Sequence, residues 1–158
     1  MRSVQSWLDE YSESHQNRIN KTIHWVCVPL ILLSIIGLLW SIPVPGHLAA
    51  RSLLLNWGVV FLIATLLYYF MLSWRLALGM TLVALLAIVI IFSASHLPVS
   101  LWRLSLAVFV AAWVGQFIGH KIEGRKPSFF KDLQFLLIGP LWLLAAVYRQ
   151  LHMAIARY

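Results

Sequence analysis

Five apolar runs, separated by breaker-rich or charged segments, set the outline of this chain. The first four, about His24–Ile42, Leu53–Ser73, Leu76–Phe92 and Leu101–Ile118, are long enough to cross a hydrocarbon layer ~30 Å thick as helices. Ser41-Ile-Pro-Val-Pro-Gly46 stops the first run, and Pro29 near its start is a candidate kink. Only Trp74 and Arg75 separate the second run from the third, so these two are expected to form an antiparallel hairpin. The fifth run, Phe135–Tyr148, carries Gly139-Pro140 and is short for a crossing, which predicts a re-entrant or interfacial helix. Ahead of them all, Ser3–Lys21 sets Trp7, Leu8, Tyr11 and Ile19 among charges, the pattern of an amphipathic surface helix. The pattern therefore predicts an all-α, single-domain membrane bundle over residues 1–158, with four transmembrane helices, an amphipathic N-terminal helix and a short C-terminal one.

Composition strengthens this reading and redirects the charge. The chain is 61% hydrophobic and 11% charged, with a mean hydropathy of +0.85, far from the soluble average. A net charge of +7 would point a soluble protein to nucleic acid; here Lys and Arg cluster at the ends of apolar runs, as topology and anionic headgroups require, so no nucleic-acid partner is expected. The polar segment 1–23, with Asp9, Glu10 and Glu13, is unlike a cleaved signal, so the first run is expected to be a retained span. Four crossings put the N-terminus, the Arg75 link and the loop after the fourth span on one side. That side holds Arg2, Arg18, Lys21, Arg75, Lys121, Arg125, Lys126 and Lys131 of the 12 basic residues, whereas Arg51 and Arg103 lie opposite. The positive-inside rule makes it the cytoplasmic face of a multi-pass protein, in the inner membrane if the chain is bacterial. Gly37 and Gly79 are candidate contacts between copies in an oligomer.

The same parity sorts the histidines. His15, His24 and His120 fall on the basic face; His47 and His96 fall opposite, and His152 is undecided. In Trp113–Pro127, WVGQFIGHKIEGRKP, the residues Gln116, His120 and Glu123 share one helical face at i,i+4 and i,i+3. Asn17, Asn20 and His24 share another, whereas His15, nine residues before His24, points half a turn away. For both histidines to serve one site, the backbone has to bend or break between them. Three imidazoles beside a carboxylate and amides suit a divalent transition metal. With the single cysteine, Cys27, inside an apolar run, iron or zinc are the candidates. Glu123 has three open roles: ligand, base, or orienting group for His120. Gln116, Asn17 and Asn20 suit hydrogen bonds to a ligand ring or a substrate, and Lys121, Arg125 and Lys126 suit an anionic headgroup whose tail enters the bundle.

Two stretches, YSESHQNRINKTIHWVCVP (11–29) and WVGQFIGHKIEGRKP (113–127), followed by the apolar Phe135–Trp142 segment with Pro140, resemble a small membrane family. That family includes the iron-dependent 2-hydroxy fatty acid dioxygenases of fatty acid α-oxidation and was formerly a domain of unknown function. The resemblance covers nearly the whole chain; its most specific parts are H-x-N-x-x-N-x-x-x-H and G-Q-F-x-G-H-x-x-E-x-x-x-P. It implies that His15, His24 and His120 hold Fe(2+), with Glu123, Gln116 and Asn20 in support. It also implies that a 2-hydroxy fatty acid reacts with O2 to give an acid one carbon shorter. The chain departs from the pattern after Pro140, where LWLLAAVYR has no carboxylate. A zinc-dependent membrane lipid hydrolase and a non-catalytic lipid-binding protein are the alternatives on the same residues.

Overall fold

The computed structural model describes residues 2–46, 52, 54–124 and 135–155. Within them the chain forms six helices and no strand: α1 (Val4–Glu13), α2 (Arg18–Trp40), α3 (Trp57–Leu72), α4 (Trp74–Ala94), α5 (Leu101–Glu123) and α6 (Ile138–Gln150). Side-chain caps set four of the starts. Ser3, Asn17, Asn56 and Ser73 each accept a hydrogen bond from a backbone N–H in the first turn of the helix that follows. The expected amphipathic stretch is divided: α1 ends at Glu13, and Asn17 starts a new helix that runs unbroken through Pro29. The required break between His15 and His24 is therefore present, between residues 13 and 18. Ser73 alone links α3 to α4, ending one and capping the other, so the hairpin is as tight as the sequence requires.

α2, α4 and α5 are long and apolar enough to cross a membrane. α3 is shorter than its apolar run, because the chain before the Asn56 cap lies outside the helix; its 16 residues rise about 24 Å. Leu67, Met71, Leu82 and Val89 stand more than half exposed on the outer surface, an exterior compatible with lipid contact.

The helices alternate in direction. Gly58, at the start of α3, packs by the Ile36 carbonyl and Trp40 near the end of α2. At the other end of α3, Tyr69 donates to the Leu137 carbonyl at the start of α6, 2.6 Å away. Along α5, Ser105 meets Gly37 and Gly119 meets Asn20, so α5 runs antiparallel to α2. α6 lies across one end of the bundle. Its first turn packs Gly139 by Tyr11 and Val28, and near its end Tyr148 donates to the Arg75 carbonyl at 3.1 Å. A helix with both ends at one end of the bundle fits the expected re-entrant or interfacial segment. α1 packs its Val4, Leu8 and Tyr11 face onto this region, with Trp7 and Tyr11 edge-on to Phe135.

Glycines Gly115 and Gly119, four apart, let α5 approach α2 closely. A Cβ on Gly115 would lie 2.6 Å from the Cys27 sulfur, and one on Gly119 would overlap the Asn20 side-chain oxygen. Small residues one turn apart allow this kind of helix approach in membranes. Gly37 and Gly79, expected to meet another copy, are instead occupied within the chain, against Ser105 and against Tyr148 with Leu144. Asn20 is fully buried and held by two hydrogen bonds, so it cannot swing aside for a larger neighbour. Gly119→Leu is accordingly expected to destabilise the protein by at least about 2 kcal/mol, the scale of overpacking, seen as a lower melting temperature in detergent. Unchanged melting would show that the crossing tolerates bulk.

Candidate metal centre

The break after α1 generates the site. His15 sits just past the α1 C-terminus, and its Nδ1 lies 2.6 Å from the Tyr11 carbonyl, one of the carbonyls a helix end leaves unpaired. A carbonyl only accepts, so Nδ1 carries the hydrogen and Nε2 keeps the lone pair. His24, on the second turn of α2, repeats the device: its Nδ1 lies 2.9 Å from the Asn20 carbonyl, again four residues back. His120 enters from the last turn of α5. All three rings are buried, with centroids 4.2 Å (His15 to His24), 5.1 Å (His24 to His120) and 5.4 Å (His15 to His120) apart. One ring nitrogen from each lies within 4.8 Å of the others.

The donor set fits a divalent transition metal. His15 Nε2 is buried and, among the described residues, has no hydrogen-bond partner; leaving such a group unsatisfied costs about 1–3 kcal/mol, and a metal ion would satisfy it. Burial, opposed by the Tyr11 carbonyl contact, pushes the His15 imidazole down to about 4, so it is neutral at pH 7, the form that binds a metal. Tyr11 stacks flat on His15 at 4.2 Å, and Trp142, which donates to Ser12 Oγ at 2.8 Å, tilts over the same ring at 5.6 Å.

Glu123 lies outside the imidazole cluster. Its carboxylate accepts from the Gln16 N–H at 2.8 Å, the Asn17 N–H at 3.0 Å and the Asn20 side-chain amide at 2.9 Å. It thus ties the end of α5 to the turn carrying His15, at a helix N-terminus that favours negative charge. Asn20 also donates to the Ser14 carbonyl at 3.4 Å. Gln116, one turn before His120, is buried and hydrogen-bonds with His24. Asn17 spends its side-chain oxygen on the cap of α2. Lys121 is exposed and does not line the cavity beside the imidazoles. Arg125, Lys126, Lys131, Arg51 and His47 lie outside the described residues. His96 bonds to the Phe92 carbonyl at the opposite end, and His152 is exposed in the turn after α6, outside the cluster.

Beside the imidazoles is a cavity of about 40 Å³, where His24, His120, Gln116 and Tyr11 meet apolar walls from Val28, Ile31, Leu32 and Leu136. The sequence pattern missed Tyr11 and Trp142 as neighbours of the site. Tyr11 carried a readable signal, its position four residues before His15. Trp142 carried none, because the placement of α6 depends on contacts far apart in the chain.

Comparison with known proteins bears on the same residues. No solved structure matches the chain. A curated protein of Saccharomyces cerevisiae, named 2-hydroxy-palmitic acid dioxygenase MPO1, is 27% identical over 143 residues, covering 89% of this chain and 77% of its own. The family model described as 2-hydroxy-palmitic acid dioxygenase Mpo1-like matches residues 1–151, a span that takes in all three clustered histidines and every helix that positions them. The chain therefore belongs to the Mpo1-like family.

Proposed function

We propose that this protein is a membrane-embedded, Fe(II)-dependent dioxygenase that converts a 2-hydroxy fatty acid and O2 to a fatty acid one carbon shorter, the carboxyl carbon leaving as CO2 and the remaining oxygen as water. The observation that carries the reading is the convergence of three buried imidazoles inside a chain of this family. His15, His24 and His120 are the residues that hold the iron. Ferrous iron, when bound, supplies the one-electron chemistry through which O2 reacts with a closed-shell acid. The chain's own groups do the rest. Gln116 faces the cavity and hydrogen-bonds the substrate's oxygens. Asn20 and Glu123 fix the turn that carries His15, and the walls from Val28, Ile31 and Leu32 exclude water. Lys121, with Arg125 and Lys126, draws the carboxylate to this face; Asn17 contributes through the α2 cap. Oxygen uptake by the iron-loaded protein with 2-hydroxypalmitate tests the reading, and absence of uptake with stoichiometric iron present would reject it.

The site faces the cytoplasm on four crossings, a topology supported by the alternating helix directions and the basic residues at the histidine end. With Cys27 replaced by serine, Ser95→Cys is expected to react with an impermeant maleimide on intact cells, and Lys121→Cys only after the cells are opened. Labelling of Lys121→Cys on intact cells would invert the orientation.

A further inference from the structure

We propose that the groove between α2, α4 and α6 holds the alkyl tail of the substrate while its head lies in the histidine cavity, with Val28 and Leu32 forming the passage between them. This rests on the function proposed above and says where the substrate lies. A cavity of about 40 Å³ has room for little more than a water-sized group or two beside a metal ion. Sites that enclose a whole ligand of lipid size run to several hundred Å³, so a tail attached to a head in this cavity has to leave it.

The way out is marked by shared walls. Val28 and Leu32, one and two turns beyond His24 on α2, line the histidine cavity and also a second cavity of about 320 Å³. Gly139 borders the first and Pro140 the second. A Cβ on Gly139 would lie 3.1 Å from the Tyr11 hydroxyl and 3.3 Å from Val28 Cγ1, so the glycine keeps the junction from being crowded. The second cavity is lined only by apolar and aromatic side chains. Its floor is buried, with Met80, Ala87 and Leu143, and its rim is exposed, with Trp25, Leu86 and Ile90. From Trp25 to Leu33 it follows α2 for about 12 Å. An apolar trough that is open along its rim and shares two wall residues with the histidine cavity fits a single alkyl chain. It admits that chain sideways from the bilayer, without lifting the tail into water.

Two measurements on the iron-loaded, full-length protein test this. In the first, 2-hydroxypalmitate carrying a photoreactive diazirine at its terminal carbon is expected to label peptides around Ala87 and Leu143, and excess unlabelled 2-hydroxypalmitate is expected to remove the label. Label spread over Leu67, Leu82 and Val89 and indifferent to competitor would mean contact with bulk lipid only, and would overturn the proposal. In the second, Ala87→Trp, which fills the floor, is expected to lower the ratio of kcat/KM for 2-hydroxypalmitate over 2-hydroxyoctanoate by about tenfold. Leu82→Trp, on the outer face of the same helix, leaves that ratio at the wild-type value. An unchanged ratio in Ala87→Trp would also overturn the groove. Competed labelling in the groove without oxygen uptake on either acid would support the groove and reject the dioxygenase reading, so the two claims fail separately.

Discussion

Alanine at His120 is expected to empty the protein of iron and to lower oxygen uptake with 2-hydroxypalmitate by well over about 100-fold. Losing an outer hydrogen-bonding partner of a metal ligand already costs about 10–100-fold, and this change removes one of the three proposed ligands itself. The two remaining rings belong to one short stretch, His15–His24, so the site loses its link to α5 along with one of its three donors. Far-ultraviolet circular dichroism checks that the helices survive. His96→Ala, at the other end of the bundle, serves as the control and retains both iron and activity. Turnover by His120→Ala at the wild-type rate would defeat the assignment. Zinc in place of iron, with turnover indifferent to oxygen, would replace the dioxygenase with a lipid hydrolase on the same ligands.

Glu123→Ala is expected to lower iron affinity by about 10–100-fold while leaving all three imidazoles in the chain. The carboxylate accepts from two consecutive backbone N–H groups and from Asn20, and these contacts hold the turn after α1 against the end of α5. Without it, His15 keeps its bond to Tyr11 but loses the tether that fixes its position relative to His120. On the proposed reading Glu123 is a positioning residue, so the sensitive readout is the iron dissociation constant, with kcat at saturating iron changed far less. Glu123→Gln, which keeps one acceptor oxygen, is expected to fall between alanine and the wild type. Loss of kcat at full iron occupancy, with an unaltered dissociation constant, would instead give Glu123 a direct part in the chemistry.

Much of this was legible in the amino-acid order, for identifiable reasons. The apolar runs located α2, α4 and α5, which are long enough to span, and the shorter α3, because hydrophobic length is a strong signal. The half-turn offset between His15 and His24 required the break that Asn17 provides. The i,i+4 and i,i+3 spacing of Gln116, His120 and Glu123 predicts one shared helical face, yet their partners diverge. His120 and Gln116 face the cavity, whereas Glu123 turns to backbone donors of the α1–α2 turn. Spacing fixes the side of a helix and says nothing about which partner waits there. The packing value of Gly115 and Gly119 was hidden for the same reason, since it lies in what α2 presents opposite them. The seating of α6 was equally hidden, and with it the nearness of Trp142 to His15.

The carbonyl four residues behind each of His15 and His24 has a consequence for engineering. At each of these two positions one ring nitrogen is held by a carbonyl inside its own pentapeptide, Tyr11–His15 or Asn20–His24, while Gln116 on α5 hydrogen-bonds His24 and Trp142 on α6 tilts over His15. A designer wishing to transplant this cluster into another scaffold would need to copy the two pentapeptides together with His120, Gln116 and Glu123 on a helix held close by a glycine-faced contact.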